Sequence, residues 1–375
     1  MKRILGFVVA IAAALSLATG AVAQDKLSIG DPKIRADLKA SGVKLPEAQY
    51  KVIGNFSSTS IWNFGQQPFW ASDVPELTGG KLKISLSSLT ELNLKGPEVI
   101  RLMQQGLADF ADLVANYASA DVMELDALDL AGVMPDIDSA MRGMQAYKPA
   151  IAEAVKRKLG AVVLGLGPSN AQIFWCNVEI KGLADLKGKR IRTSSATTAD
   201  LVRGLGGTPV STPGSEMVTA LQRGVVDCAI TGVLAGNTLK LHEVTTHLYP
   251  LVVGWAAWLR VANARTWDRA DPATKQWLQK ATDTIYAQRV IAMVKEASDQ
   301  GIWCSTGDAR CTYGEKEGVS KGHMKLVPVT EADKKELARI MEKSVLPRFA
   351  AACGPECTKT WNDSIGKELS LVAKP

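Results

Sequence analysis

Histidine is nearly absent, three in 375 residues, which is too few for a multi-histidine metal centre. No block of lysine and arginine occurs either. The formal net charge is +6, from 44 basic and 38 acidic residues, and Lys2 and Arg3 supply part of it. The rest is dispersed, so a nucleic-acid surface leaves no footprint. Beyond the first segment nothing reaches the ~18 consecutive apolar residues of a membrane span. Catalytic signatures are missing as well. There is no GxSxG elbow and no P-loop. His242-Glu243-Val-Thr-Thr-His247 has one residue too many for a zinc helix, since i,i+5 spacing turns the two imidazoles about 140° apart. Gly204-Leu-Gly206-Gly207 ends a helical stretch instead of opening one, so it reads as a cap and not a dinucleotide loop. What remains is an ordinary globular balance, 46% hydrophobic and 22% charged, with length enough for two domains with their own cores.

The first segment differs from all that follows. Met1-Lys2-Arg3 gives a positive start, Ile4 to Leu17 is almost unbroken apolar, and Ala21-Val22-Ala23 supplies a small-x-small pattern. This is the layout of a secretory signal peptide cut after Ala23, with an uncleaved anchor as the competing reading. Export leads to a compartment that favours disulfides, and the six cysteines are even in number. Cys304 and Cys311 bracket a short polar loop, and Cys353-Gly-Pro-Glu-Cys357 is a tight turn. Cys176 and Cys228 are left, both in apolar runs that read as strands. The expected pairs are 176–228, 304–311 and 353–357, because zinc at the CxxxC lacks a nearby histidine pair.

An internal echo suggests the architecture. Glu98-Val-Ile-Arg-Leu-Met-Gln104-Gln-Gly106-Leu-Ala-Asp109 and Glu216-Met-Val-Thr-Ala-Leu-Gln222-Arg-Gly224-Val-Val-Asp227 both read E-x5-Q-x-G-x-x-D. Each predicts a short amphipathic helix stopped by a glycine in a left-handed cap. An apolar strand follows, at 111–115 or 228–231, and another precedes, at 81–87 or 190–193. Alternation at this spacing predicts βαβ units with parallel sheets, hence two similar α/β lobes. Asp271-Pro272 opens a long helix whose apolar period runs to about Ser298. At 1.5 Å per residue it would be about 40 Å long, enough to span both lobes. The segments 330–341 and 345–352 read as further helices. Ligands of parallel α/β sheets gather at the carboxyl ends of strands, which marks 55–63, 88–91, 116–117, 192–197, 211–215 and 229–232.

The stretch Leu186-Lys-Gly-Lys-Arg-Ile-Arg192-Thr, then Gly206-Gly-Thr-Pro-Val and Ser215-Glu-Met-Val-Thr-Ala-Leu-Gln222-Arg-Gly-Val-Val-Asp227, resembles the signature of TRAP-transporter solute-binding proteins of the DctP type. Gly79-Gly80-Lys81, the Glu98–Asp109 echo and the Asp271-Pro-Ala-Thr helix resemble other parts of that family, from about Ala48 onward. The resemblance implies an α/β, periplasmic-binding-protein-like fold: two α/β lobes with a cleft and a long domain-spanning helix. On it the chain divides into a signal peptide (1–23), an N-terminal extension (24–47), lobe I (48–169 and 257–297) and lobe II (170–256 and 298–375). It also implies a periplasmic protein; with the catalytic signatures missing the chain is read as no enzyme and without a cofactor or a metal-ligand set, and whether a metal ion assists binding stays open. Such a protein captures a small organic acid and delivers it to TRAP membrane permease subunits, touching membrane protein and not lipid. The chain is read as a monomer.

Arg192 matches the arginine that in this family pairs with the ligand carboxylate. The residues agree, since a guanidinium at a strand's carboxyl end offers a planar fork that fits a carboxylate. Arg190, at the start of the strand, reads as solvated. Three departures from the family pattern bear on the ligand. Gln172 stands where some members carry a second arginine, Thr231 replaces a frequent asparagine, and Gly214 replaces a bulky residue. One cation fewer favours a monocarboxylate, with an apolar or aromatic body as one option. Gln172, Thr231, Asn116 and Ser215 are expected to hydrogen-bond the ligand, and Trp175, Trp255 and Trp62 to pack on it, with Phe174 and Trp258 close by. A binding subunit of an ATP-driven importer or sensor, or less readily a secreted enzyme, would use the same fold.

Overall fold

A computed structural model describes residues 31–315 and 318–375; the leader expected over 1–23 lies outside the described residues. Among the described residues nine strands form one sheet: β1 (Ala48–Gly54), β2 (Leu82–Ser88), β3 (Phe110–Val114), β4 (Ala161–Cys176), β5 (Arg190–Thr193), β6 (Thr208–Ser211), β7 (Cys228–Gly232), β8 (His247–Asn263) and β9 (Lys325–Leu326). Their order is β2-β1-β3-β8-β4-β7-β5-β6, with β9 added to β8. The outer groups β2-β1-β3 and β7-β5-β6 are parallel, as βαβ alternation predicts. Between them run β4 and β8, two long strands paired antiparallel.

The echo has a physical cause. In each copy the helix, Glu98–Gln104 or Met217–Gln222, ends at a glycine with positive φ, Gly106 at 74° and Gly224 at 65°. The aspartate that follows clamps the neighbouring parallel strand. Asp109 Oδ2 accepts from the Lys51 amide at 2.8 Å, and Asp227 Oδ2 accepts from the Arg190 amide at 2.8 Å. The reciprocal bonds, Asp109 amide to Lys51 carbonyl and Asp227 amide to Arg190 carbonyl, are also 2.8 Å each. The motif therefore fixes where each parallel pair begins.

β4 and β8 exchange partners along their length. Asp112 on β3 pairs with Arg260 on β8, while Gln172 on β4 faces Gly232 on β7 and Gly254 on β8. The register between β4 and β8 shifts at Val163/Gly165, Pro168/Asn170 and Gln172/Phe174. Gly165 permits one close approach, because a Cβ there would lie 2.9 Å from the Trp258 indole.

The first lobe is built around a buried charge. The Arg260 guanidinium binds Asp112 twice, Nε to Oδ1 at 2.6 Å and Nη2 to Oδ2 at 2.7 Å. Trp70 Nε1 donates to the same carboxylate at 2.7 Å. The guanidinium lies 3.8 Å from the Tyr286 ring centroid, 4.2 Å from Phe69 and 4.6 Å from Trp70. These rings come from the helical stretch 61–77 and from the long C-terminal helix, so one cation gathers a strand pair and two helices.

The long helix starts at Pro272, capped by the Asp271 side chain, and continues to Thr306 with one wider turn at Thr282–Tyr286. It extends beyond the expected end near Ser298. The stop is Gly307, whose φ of 73° provides the left-handed cap, so the helix is about 50 Å long by its rise. At one end Trp277 Nε1 donates to the Leu38 carbonyl of the N-terminal helix Pro32–Gly42. At the other, a Cβ on Gly301 would meet Val233 at 2.8 Å. The C-terminal helices touch helices far apart in the chain. Ser344 Oγ donates to the Asp200 carbonyl of helix Ala196–Gly204. Arg142 on helix Ile137–Leu159, however, pairs with Glu368 at 3.0 Å. The tail returns because that helix has an apolar side, around Gly143, which Ile365 and Leu369 cover.

All six cysteines are paired, as 176–228, 304–311 and 353–357. No helix among the described residues is long and apolar enough to cross a membrane.

Removing one partner of the central ion pair leaves an uncompensated buried charge. Asp112→Ala is expected to lower the unfolding free energy by about 3–5 kcal/mol, measured as a shifted midpoint in a urea titration. A change below about 1 kcal/mol would mean that the aromatic faces suffice to hold the guanidinium.

Candidate functional site

The carboxyl ends of β1, β2, β3, β5 and β7, with the middle of β4 and β8, enclose a cavity of about 560 Å³. This is where parallel α/β sheets collect ligands. Arg192 lies at its floor and is only 4% exposed. Arg190, two positions earlier, lies at the exposed start of β5 and pairs with Asp227 at 2.6 Å. Arg192 Nε donates to the Thr212 carbonyl at 2.9 Å and Nη1 to the Ile230 carbonyl at 3.0 Å. These two bonds fix the plane of the guanidinium and leave Nη2 without a partner among the described residues. No carboxylate there lies within ion-pair distance. Burial pushes the Arg192 pKa down to about 10, and burial raises that of the neighbouring Tyr117 to about 12, with the Arg192 charge opposing the rise. A buried cation whose donor faces a cavity is a site for an anion.

Of the residues expected at the ligand, the structure brings Arg192, Gln172, Thr231, Asn116 and Ser215 to this cavity. Asn116 Nδ2 also reaches the Ser194 carbonyl across the cleft at 3.5 Å. The three tryptophans lie elsewhere. Trp175 is fully buried against Gly236, where a Cβ would meet its indole at 2.3 Å. Trp255 Nε1 donates to the Met134 carbonyl, and Trp62 packs on Gly54. Alternation explains the misplacement. Gln172 faces the cavity, so Trp175, three positions on, points to the other side of β4, and Ala256 lines the cavity while Trp255 turns away. Phe174 and Trp258 are also core, stacked on Tyr249 and edge-on to Tyr286. The aromatic lining is instead Phe56 and Tyr117, with Ile61, Leu89 and Val114 as aliphatic wall.

Two further charged groups escaped the sequence reading. Lys95 stands at the rim and pairs with Glu216 of the opposite lobe at 2.9 Å, both more than half exposed. Such a pair is weak and screened by salt. Asp129 lies behind the cavity wall, 5% exposed, at the end of the short helical stretch Met123–Asp129. Gln172 Nε2 donates to its Oδ1 at 2.5 Å, and Ser195 Oγ to its Oδ2 at 3.5 Å. Burial pushes the Asp129 carboxyl up to about 8; the bonds from Gln172, Ser195 and the Trp255 amide counter the rise, and the nearby Asp126 charge adds to it.

Residues 55–302 match the DctP family, bacterial extracellular solute-binding proteins of family 7. Among curated proteins, the uncharacterized protein YiiZ of Salmonella typhimurium is 27% identical over 184 residues, 48% of this chain and 55% of that protein. The chain thus spans about half the length of the first curated relatives it matches. Among solved structures, a TRAP periplasmic solute-binding protein from Desulfovibrio salexigens with bound orotic acid aligns with a TM-score of 0.73 at 18% identity, over 86% of this chain and 98% of the other. The periplasmic ectoine-binding protein of the TeaABC TRAP transporter of Halomonas elongata aligns with a TM-score of 0.74 at 16% identity, over 86% and 99%. At these identities the structures show a shared fold.

The Asp129 carboxyl holds a proton up to about pH 8 in the folded chain, against an ordinary value of 3.8. Between those limits the native state binds a proton that the unfolded state has released, so stability falls as pH rises through the window. Thermal midpoints measured from pH 4 to 9 are expected to fall less steeply for Asp129→Asn than for wild type. Parallel slopes would show that Asp129 stays ionised in the folded chain.

Proposed function

Because the chain belongs to the bacterial extracellular solute-binding proteins of family 7, we propose that it captures an organic carboxylate between two lobes in the periplasm and passes it to a TRAP membrane permease. The observation that carries this reading is Arg192, buried without a counter-ion and with Nη2 open to the cavity. A ligand carboxylate would supply the missing charge and take a bond from that donor. The lobes would be 48–169 with 257–297 and 170–256 with the chain from 298, hinged where β4 and β8 shift register at Pro168/Asn170, with the tail 346–369 closing back on the first. Orotic acid and ectoine, bound by two proteins of this fold, each carry one carboxylate on a ring. A monocarboxylate with an apolar or aromatic body suits the lining here, since Phe56, Ile61, Leu89 and Val114 share the cavity with the buried Arg192. The protein would act as a monomer, without a cofactor.

A dicarboxylate is the second reading, and Lys95 favours it. That lysine lines the cavity, and a second carboxylate could displace Glu216 from it.

Thermal denaturation against a panel of mono- and dicarboxylates separates these readings, because ligand at a hundred times its dissociation constant adds about 2.7 kcal/mol. Monocarboxylates should raise the midpoint most, whereas a response to dicarboxylates alone would support the Lys95 reading. Titration calorimetry on Arg192→Met should show affinity weakened by about 2–5 kcal/mol. Unchanged affinity in that variant would remove Arg192 from the site.

A further inference from the structure

Gln172 is held differently from the other polar groups of the cavity. One N–H of its Nε2 donates to Asp129 Oδ1 at 2.5 Å, and its Oε1 has no hydrogen-bond partner among the described residues. Room for this pair is built into β8, where the residue opposite Gln172 is Gly254. A Cβ there would lie 2.8 Å from Asp129 Oδ1 and 3.6 Å from Gln172 Nε2. The Asp129 oxygens receive Gln172 Nε2, Ser195 Oγ and the Trp255 amide. A carboxylate only accepts. When neutral, its proton can sit on Oδ2 and donate to the Ser195 hydroxyl, which leaves Oδ1 an acceptor. With Asp129 ionised, or neutral with its proton on Oδ2, the amide of Gln172 is held one way round.

We propose that Asp129 is a positioning residue that turns the Gln172 carbonyl toward the cleft, so that the site selects carboxylates bearing an N–H or O–H donor a few bonds from the carboxyl group. This rests on the reading of Arg192 as the carboxylate anchor. The spacing follows from the sheet. Arg192 Nη1 is held at Ile230 on β7, and Gln172 faces Gly232, two residues further along, about 7 Å at the rise of a strand. Arg192 Nη2 and Lys95 Nζ donate; Asn116 is held by one bond of 3.5 Å to the Ser194 carbonyl, whereas Gln172 Oε1 is an acceptor whose direction a buried carboxyl group fixes at 2.5 Å. A ligand without a donor there would leave that carbonyl desolvated and unpaired, which disfavours it more than a missing contact would.

The test uses ligand pairs of one shape that differ in the donor: mandelate with phenylacetate, and pyrrole carboxylate with furan carboxylate, each substituted beside the heteroatom. Calorimetric titration of the mature protein should favour the donor-bearing member by about tenfold or more. Gln172→Met should abolish the preference while the donor-free member still binds, which also shows that the variant is folded. Asp129→Ala should lose most of the preference, and Asp129→Asn, which keeps an acceptor for Nε2, should restore it. Equal affinity within both pairs, or a full preference in Asp129→Ala, overturns this inference and leaves the Arg192 anchor standing. If no member of either pair binds, the anchor reading fails for these acids and the inference fails with it.

Discussion

β4 and β8 are paired along most of their length and carry the two parallel groups of strands on either side. Every other strand joins the sheet through this pair: β3 docks on the far end of β8, β7 on the far end of β4. The residues at the crossing, Ser169, Asn170, Gln172 and Ala256, also line the cavity. A hinge and a binding surface made from the same backbone cannot be independent. A ligand that orders these side chains acts on the strands about which the lobes would turn.

Two buried titratable groups give the cavity its electrostatic character, and burial disfavours the charged form of each. Arg192 has its pKa lowered and Asp129 has its pKa raised. The arginine is held by backbone carbonyls, which orient it without neutralising it. The acid is held by donors of several elements, and its raised value makes it a poor competitor for the arginine. Arg260 in the first lobe shows the contrary arrangement, with its carboxylate at 2.6 Å and aromatic faces around it. One buried arginine is saturated by its own chain and the other is kept unfinished.

How much of this was legible follows from what each residue answers to. The echo was readable because glycine and aspartate do local work there: a left-handed turn and a clamp on the adjacent strand. Arg190 and Arg192 differ in place along β5: the first stands at its exposed start beside the Asp227 clamp, the second at its buried carboxyl end. The tryptophans of β4 and β8 were not readable in the same way. Both strands are covered on their two sides, so they are apolar on both, and composition cannot say which side meets the cavity. The end of the long helix depended on Gly307, beyond a polar stretch where the apolar period fades. Asp129 was hidden for another reason. Met123–Asp129 carries three acids and reads as a solvated turn, and its burial comes from β8 and from the distant helix Leu346–Trp361 closing over it.

The nine tryptophans end up entirely outside the cavity lining. An acid bound in that cavity would touch no indole, so contact quenching would add nothing to its effect on the intrinsic fluorescence. Trp255 and Trp258 flank the crossing on β8, one bonded to the Met134 carbonyl and the other lying under Gly165 and Gly167. Were the lobes to turn about that crossing, these two indoles would be repacked. With a ligand that does not absorb in the tryptophan emission band, a change in native emission would then report the turn.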